Sequence, residues 1–526
     1  EKTDDGKTVF GTCGIGHTRW ATHGKPSDAN AHPHVSGKFA LVHNGIVENF
    51  RALKGELLEQ GEEFLSETDS EVIVKLIAKA YRGDFFEAVM KACERLEGSY
   101  ALAVLCSDDP GEIIGVRQGG PLVAGAAPDA LYLCSDVPAL CGAAEFICPA
   151  SDGEFIRIRD GNICFCDGNG REICKEFSRV PPESRSSSVM SGTFMEKEIA
   201  EIPRALSDTF KSLSATDFAP CARILRGARH VYAVACGTAL HAAQAFGDIA
   251  ESEVRCPVFC FAASEFRYRD PLIGKDDLLV AVSQSGETAD TLAAMREAER
   301  LGAKVMALTN VVGSSIARTA GDCVMYTYAG PEIAVASTKA YITQVEMMVL
   351  LAIDLGVKRG HLTESVASEL LRQMADIPAL AEQVMALEPA VQRFSSLYHD
   401  RQHVFYIGRG LDNALAMEAS LKLKEVSYIM SEAYAAGELK HGTIALIEQG
   451  TLVCALLTQE QLADKTLSNV REVKSRGAKV LIVCPEALRD RAAKDADELW
   501  VIPDAASDLL PLLAIIPVQL FAYYMA

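Results

Sequence analysis

Apolar and polar positions change their spacing several times along the chain, and each change predicts an element. Phe39-Ala40-Leu41-Val42 and Tyr100-Ala101-Leu102-Ala103-Val104-Leu105 are compact apolar runs of strand type. Ser70–Tyr81 and Phe85–Leu96 instead space their apolar residues three and four apart, as amphipathic helices do. Pro121-Leu122-Val123, Ala130-Leu131-Tyr132-Leu133 and Phe155-Ile156-Arg157-Ile158 follow as strands between Gly/Asp turns. This mixture predicts an α+β domain over residues 1–175. The run Pro181-Pro182-Glu183-Ser184-Arg185-Ser186-Ser187-Ser188 is the clearest linker. A helix beginning at Phe194-Met195-Glu196-Lys197-Glu198-Ile199 leads into the second half.

There the pattern alternates apolar strands with helical segments, as in an open parallel sheet. It also repeats. His230-Val231-Tyr232-Ala233-Val234-Ala235-Cys236-Gly237 parallels His403-Val404-Phe405-Tyr406-Ile407-Gly408-Arg409-Gly410. Arg300-Leu301-Gly302-Ala303-Lys304-Val305 parallels Ser475-Arg476-Gly477-Ala478-Lys479-Val480. The two offsets are nearly equal, which predicts two copies of one α/β unit rather than chance likeness.

With 526 residues, 49% of them hydrophobic, the chain has the material for two to four packed domains. A net charge of −20 argues against nucleic acid as a partner and leaves an anionic substrate to be held by local loops. The 16 cysteines form no paired C-x-x-C and no His/Cys cluster at zinc spacing, so no metal and no other cofactor is expected. Cys164 and Cys166 make a lone C-x-C in a strand-like stretch. Scattered cysteines predict a reduced, cytoplasmic protein. No apolar run reaches membrane-spanning length, so no membrane partner is expected. The chain opens on Glu1 without a targeting pattern, as though it began inside a longer one.

Three regions carry candidate chemistry. Near the start, Gly16-His17-Thr18-Arg19-Trp20-Ala21-Thr22-His23-Gly24 is followed by Asn30-Ala31-His32-Pro33-His34 and His43-Asn44-Gly45. Arg19 can grip a carboxylate bidentately. Asn44-Gly45 can offer a side-chain amide and a backbone N–H to an oxyanion, and Asp69 can bind an ammonium group. Together they describe a site for an amino-acid amide. The competing reading is that His17, His32 and His43 are simply packed histidines.

In the first α/β copy, the strand Asp277–Val282 runs into Ser283-Gln284-Ser285-Gly286-Glu287-Thr288 and a helix from Ala289 to Arg300. Hydroxyls and free N–H groups at a helix start suit a phosphate, although an ordinary N-cap needs only one hydroxyl. Cys236-Gly237-Thr238 ends a strand of the same sheet, and Val335-Ala336-Ser337-Thr338-Lys339 forms a third polar loop. In the second copy, Glu418, Lys422 and Glu425 share a helix face, and His441 lies between Gly437 and Gly442. A carboxylate, an amine and an imidazole suit proton transfers on a sugar. The plain alternative is a solvated surface ion pair.

Taken together these motifs resemble the glutamine–fructose-6-phosphate aminotransferase (isomerizing), or glucosamine-6-phosphate synthase, family. The likeness runs nearly end to end, through His17–Gly24, Asn30–His34, Ser66-Glu67-Thr68-Asp69, Ser264-Glu265-Phe266-Arg267-Tyr268, Ser283–Thr291, Val335–Lys339 and Ala433–Gly442. It implies an N-terminal-nucleophile glutaminase domain over 1–175, lacking its first segment, and a linker and helix over 176–222. Two sugar-isomerase (SIS) domains with parallel sheets then cover 223–365 and 395–526, joined by a helical connection at 366–394. Glutamine would supply ammonia to fructose 6-phosphate, giving glucosamine 6-phosphate.

The resemblance assigns roles residue by residue. Arg19, Trp20, Thr22, His23, His32 and Asp69 would surround glutamine, Trp20 gating the ammonia channel. Asn44 and Gly45 would form the oxyanion hole. Thr238, Ser283, Gln284, Ser285, Thr288, Val335 and Ser337 would hold the sugar phosphate. Glu425 would move the proton between C1 and C2, assisted by Lys422, while His441 from a neighbouring subunit opens the ring, which implies a homodimer with a shared site.

Some features depart from the family pattern. The family's amino-terminal nucleophilic Cys lies well before the His-Thr-Arg-Trp motif. Cys13-Gly14-Ile15 imitates its sequence but reads as a strand cysteine. The family's Schiff-base Lys belongs to a tail expected past Ala526. The chain is therefore expected to be cut at both ends and without glutaminase activity. Ala239 stands where many members have Ser. The alternatives are a non-catalytic sugar-phosphate-binding SIS protein and another SIS enzyme, such as a fructosamine-phosphate deglycase.

Overall fold

The computed structural model describes residues 11–18, 24–25, 27–140, 142–180, 193–213 and 219–526. The chain separates into two compact units, Glu1–Ser188 and Val189–Ala526. The linker expected at 181–188 lies outside the described residues.

The first unit is built on a seven-stranded antiparallel sheet. Its strand order is His34–Ser36, Phe39–Val47, Gly98–Cys106, Ile113–Gln118, Phe155–Arg159, Asn162–Cys166 and Glu172–Ile173. Side chains alternate faces along a strand. Tyr100, Leu102 and Val104 accordingly pack with Ile73, Ile77 and Val89 of the helices Asp69–Ala80 and Phe85–Cys93, whereas Ala101 joins the core beneath a second, four-stranded sheet. The strand expected at Phe39–Val42 continues to Val47, since pairing with Gly98–Cys106 carries it through the polar His43-Asn44-Gly45. The second helix ends at Cys93, short of Leu96. Cys13 lies in irregular chain rather than in a strand, and burial raises the pKa of its thiol.

The second unit contains two five-stranded, all-parallel sheets. The first is ordered Val258–Ala262, Val231–Ala235, Leu278–Ser283, Lys304–Thr309, Val324–Tyr326. The second is ordered Met430–Ala435, His403–Gly408, Leu452–Leu456, Lys479–Pro485, Glu498–Ile502. Numbered within each copy, both run 2-1-3-4-5, so the duplication extends to topology. Gly237 and Gly410, equivalent in the repeat, both adopt a positive φ, 54° and 57°, directly after strand 1.

The helix Lys339–Arg359 corrects the expectation about apolar runs. By length and composition it is apolar enough to cross a membrane, and 89% of its apolar stretch is buried inside the unit. A helix covered on every side needs no polar stripe. Leu510–Met525 is a second helix of this kind, almost wholly buried.

Candidate active site

In an open sheet of order 2-1-3-4-5, ligands sit outside the carboxyl ends of strands 1 and 3, where the connections diverge. In the first copy that point is a cavity of about 180 Å3, lined by Cys236, Thr238, Ala239, Val282, Ser283, Gln284, Ser285, Thr288, Ser337 and Gln344. Six of the seven residues expected to hold the sugar phosphate are therefore brought together. The seventh, Val335, is 67% exposed and is not among the lining residues.

The loop after strand 3 is shaped by its own hydroxyls. Ser283 Oγ lies 2.9 Å from Thr288 Oγ1 and accepts the Gly286 N–H at 3.0 Å, while Ser285 Oγ accepts the Glu287 N–H at 3.2 Å. Thr288 holds the N-cap position of the helix Ala289–Arg300, yet its side chain makes no capping bond. The ordinary N-cap alternative thus fails here, and the helix start retains backbone N–H groups for an anion. Gly286 has a φ of 66°, and a Cβ there would run into Ser314 Oγ and stand 2.8 Å from Thr309 Oγ1. The Val335–Ser337 loop is tied down by Glu332, which accepts Ser337 Oγ–H at 2.7 Å and the Thr338 N–H at 2.8 Å. Ala239 also lines the cavity.

The second copy differs at this point. At the position equivalent to Ala239 stands Asp412. Its Oδ2 accepts the backbone N–H of Thr458 at 2.8 Å, its Oδ1 accepts the Thr458 hydroxyl, and the Gln459 N–H lies 3.4 Å from Oδ2. A carboxylate of the chain itself thus sits just past the carboxyl end of the third strand of the second sheet. Burial pushes that carboxyl up to about 6 against these hydrogen bonds.

The Glu418–Lys422–Glu425 face is not the solvated ion pair of the plain alternative. Glu418 and Lys422 are both fully buried. Lys422 Nζ stands 2.5 Å from Glu425 Oε2 and 3.5 Å from Glu418 Oε1, and donates to Thr238 Oγ1 at 2.9 Å. Burial by itself lowers the pKa of the Lys422 ammonium, but Glu418 and Glu425 outweigh it and the net direction is up. Thr238 therefore joins the phosphate cavity to the acid–base cluster. His441 ends a short 3-10 turn, Leu439–His441, and is exposed, without a side-chain hydrogen bond to this cluster.

In the first unit, Asn44 and Gly45 are exposed on the strand Phe39–Val47. Gly45 has a φ of 133°, and its backbone passes so close to Ser99 that no Cβ fits. Asp69 is turned inward. It is 3% exposed, accepts the Val47 N–H at 2.9 Å and lies 3.8 Å from His43 Nδ1. His32 Nδ1 accepts the His43 N–H at 3.4 Å, and its ring centre lies 4.4 Å from that of His17 and 4.8 Å from that of His34. His43 is buried against Ser70 Oγ at 3.0 Å. His34 and His43 are buried, whereas His17 and His32 are partly exposed. Arg19, Trp20, Thr22 and His23 lie outside the described residues. Among the described residues, no three His, Cys, Asp or Glu side chains converge as metal ligands.

Gln344 was not singled out from the sequence. It comes from the middle of the apolar Lys339–Arg359 helix, lines the cavity, and buries Oε1 without a partner. A polar residue in so apolar a helix was the available signal.

The duplicated parallel sheets and the hydroxyl-rich loop at the first switch point define a double SIS-domain protein. The SIS domain family model matches residues 224–354 and 396–526, and a glutamine amidotransferase domain model matches 17–142. The chain belongs to the glutamine–fructose-6-phosphate aminotransferase (isomerizing) family. It is 45% identical to the protein of that name from Clostridium tetani, covering 99% of this chain and 87% of that protein. To the one from Symbiobacterium thermophilum it is 47% identical, covering 100% and 89%. Among solved structures, the C-terminal domain of glucosamine-fructose-6-phosphate aminotransferase from Francisella tularensis matches at 34% identity and a TM-score of 0.62, covering 65% of this chain and 97% of that one. Tagatose-6-phosphate ketose/aldose isomerase from Escherichia coli, 15% identical with a TM-score of 0.54 over 64% of this chain and 94% of that one, shares the fold.

Proposed function

We propose that this protein makes glucosamine 6-phosphate and glutamate from fructose 6-phosphate and glutamine. The observation that carries this reading is the joining, through Thr238, of a phosphate-sized hydroxyl cavity to a buried Lys422 that is paired with the partly exposed Glu425. The phosphate sits on the Ser283–Thr288 loop at the helix start, with Gln284, Ser285 and Ser337 around it, and Val335 contributes backbone contacts to the sugar. Ammonia adds to the C2 carbonyl of the open-chain ketose with loss of water. Glu425 then takes a proton from C1 and returns it to C2, leaving an aldehyde at C1 and an amine at C2. Lys422 holds that carboxylate and balances its charge. Ring opening falls to His441 of a second copy, so the working unit is a homodimer with shared sugar sites.

The amidotransferase domain is of the N-terminal-nucleophile type. In it Arg19, Trp20, Thr22, His23, His32 and Asp69 surround glutamine, and Asn44 and Gly45 stabilise the oxyanion. Residues 223–365 and 395–526 form the two SIS domains, joined through 366–394. The absence of a Cys-rich framework supports a cytoplasmic location. The full protein, incubated with fructose 6-phosphate and glutamine or ammonium, is expected to form glucosamine 6-phosphate, read by mass spectrometry. A correctly folded protein that binds fructose 6-phosphate but forms no amino sugar would favour the non-catalytic binding reading.

A further inference from the structure

The helices Thr238–Ile249 and Leu411–Ser427 come from different copies of the repeat and pack together. Their contact holds a polar cluster that neither copy contains alone. Glu418 is at its centre, with no exposure. Its Oε1 accepts the Thr238 hydroxyl at 3.1 Å, and its Oε2 lies 2.8 Å from His241 Nδ1. His241 has 16% of its side chain exposed.

Donor and acceptor capacity fixes the direction of every bond. A carboxylate only accepts, so Nδ1 carries the hydrogen toward Glu418. Thr238 has one hydroxyl hydrogen and spends it on Glu418, so it turns a lone pair to the Lys422 ammonium. Lys422 in turn faces Glu425. Counted as charges, two carboxylates, the buried Glu418 and the partly exposed Glu425, share one buried ammonium. Tyr341 is also fully buried with no hydrogen bond to its hydroxyl, and burial, with the Glu418 charge behind it, raises its pKa. The imidazole N–H is what satisfies Oε2.

We propose that His241 is a positioning residue for the sugar-phosphate chemistry: through Glu418 it fixes the Thr238 hydroxyl and holds Lys422 shared between Glu418 and Glu425. It touches no reacting atom. Without a donor on Oε2, Glu418 turns or takes a proton, and Lys422 is left to Glu425 alone. A base paired that tightly to an ammonium abstracts a proton more slowly. The phosphate loop at Ser283–Thr288 hangs on a different strand and keeps its own bonds, so the loss falls mainly on kcat and KM moves little.

This inference rests on the aminotransferase reading, and the test separates the two. Asn places its Nδ2 near His Nδ1, whereas Gln places its Nε2 near His Nε2, so the pair moves one donor while keeping polarity and approximate size. The full protein and its His241→Asn and His241→Gln variants are assayed for glucosamine 6-phosphate formation over a range of fructose 6-phosphate. His241→Asn is expected to keep kcat within about threefold of wild type, and His241→Gln to lose about tenfold or more with KM within about twofold. Equal kcat in the two variants, or a change confined to KM, overturns the inference. So does a His241→Gln protein that loses the native fluorescence of buried Trp500 along with its activity, since the residue would then be structural. A wild-type protein that forms no glucosamine 6-phosphate overturns the aminotransferase reading and this inference with it.

Discussion

Glu198 ties the sugar site to pH. It lies on the helix Phe194–Ala200 and is 4% exposed. Its Oε1 accepts the backbone N–H of Ile333 at 2.5 Å and of Ala334 at 2.9 Å, the two residues before Val335, while Oε2 is buried without a partner. Burial pushes its carboxyl up to about 7, the two N–H groups pulling the other way and Glu332 adding to the rise. The folded state therefore holds this proton more tightly than the unfolded chain does. The stability so gained is fully present below about pH 4.5 and is lost as pH rises through about 7. At about 1.4 kcal/mol for each tenfold change in proton affinity, the loss approaches ~3 kcal/mol above pH 8. Glu198→Gln keeps an oxygen for both N–H groups and removes the charge. It is expected to be more stable than wild type by about 2–3 kcal/mol at pH 8 and nearly equal at pH 4.5.

Trp500 provides the assay for this unit. It is fully buried, with ring centres 5.6 Å from Phe394 and 5.8 Å from Phe521. Its fluorescence follows urea unfolding of the second unit, and a Trp20→Phe background removes the chain's other tryptophan. A Gln variant with no pH-dependent advantage, or one less stable than wild type at pH 8, would show that the carboxylate is held ionised and would refute the reasoning.

Other outcomes follow from the same geometry. Gly286→Ala forces a Cβ into Ser314 at a positive φ, so KM for fructose 6-phosphate should rise at least ~tenfold, in steady-state assays, with glutamine hydrolysis unchanged. Ala239→Asp copies into the first copy the carboxylate that Asp412 supplies in the second, and isothermal titration should show fructose 6-phosphate binding weakened by about a hundredfold, while an unaltered Kd would remove the parallel with Asp412. If the sugar site is shared between subunits, mixing inactive His441→Asn and Glu425→Gln proteins under subunit exchange should restore about a quarter of wild-type activity per total site, the fraction with both native groups. No recovery after confirmed exchange would place both residues in one chain's site.

Local pattern carried much of this protein. The apolar run Tyr100–Leu105, the helical spacing in Ser70–Tyr81 and the strand-loop-helix order at Ser283–Arg300 all appear nearly where the pattern puts them. Such elements depend on neighbours a few residues away, which a linear pattern records. The repeat was legible for the same reason, because each copy spells out its own strands. The ends were less so: Phe39–Val47 runs on through polar residues because a partner strand more than fifty residues away accepts its hydrogen bonds.

The chemistry of the site divides along that line. Hydroxyls, a flexible glycine and a helix start were visible in Ser283–Thr288 as a place for an anion. Burial of Glu418 and Lys422 was not, because their covering groups, Thr238 and His241, arrive from 177 to 184 residues away along the chain. Sequence spacing places Glu418, Lys422 and Glu425 on one helix face and stops there. Whether that face meets water or a second helix is settled only when the two copies of the repeat pack. That packing removes solvent from Glu418 and Lys422 and turns an ordinary ion pair into a directed cluster beside the phosphate cavity.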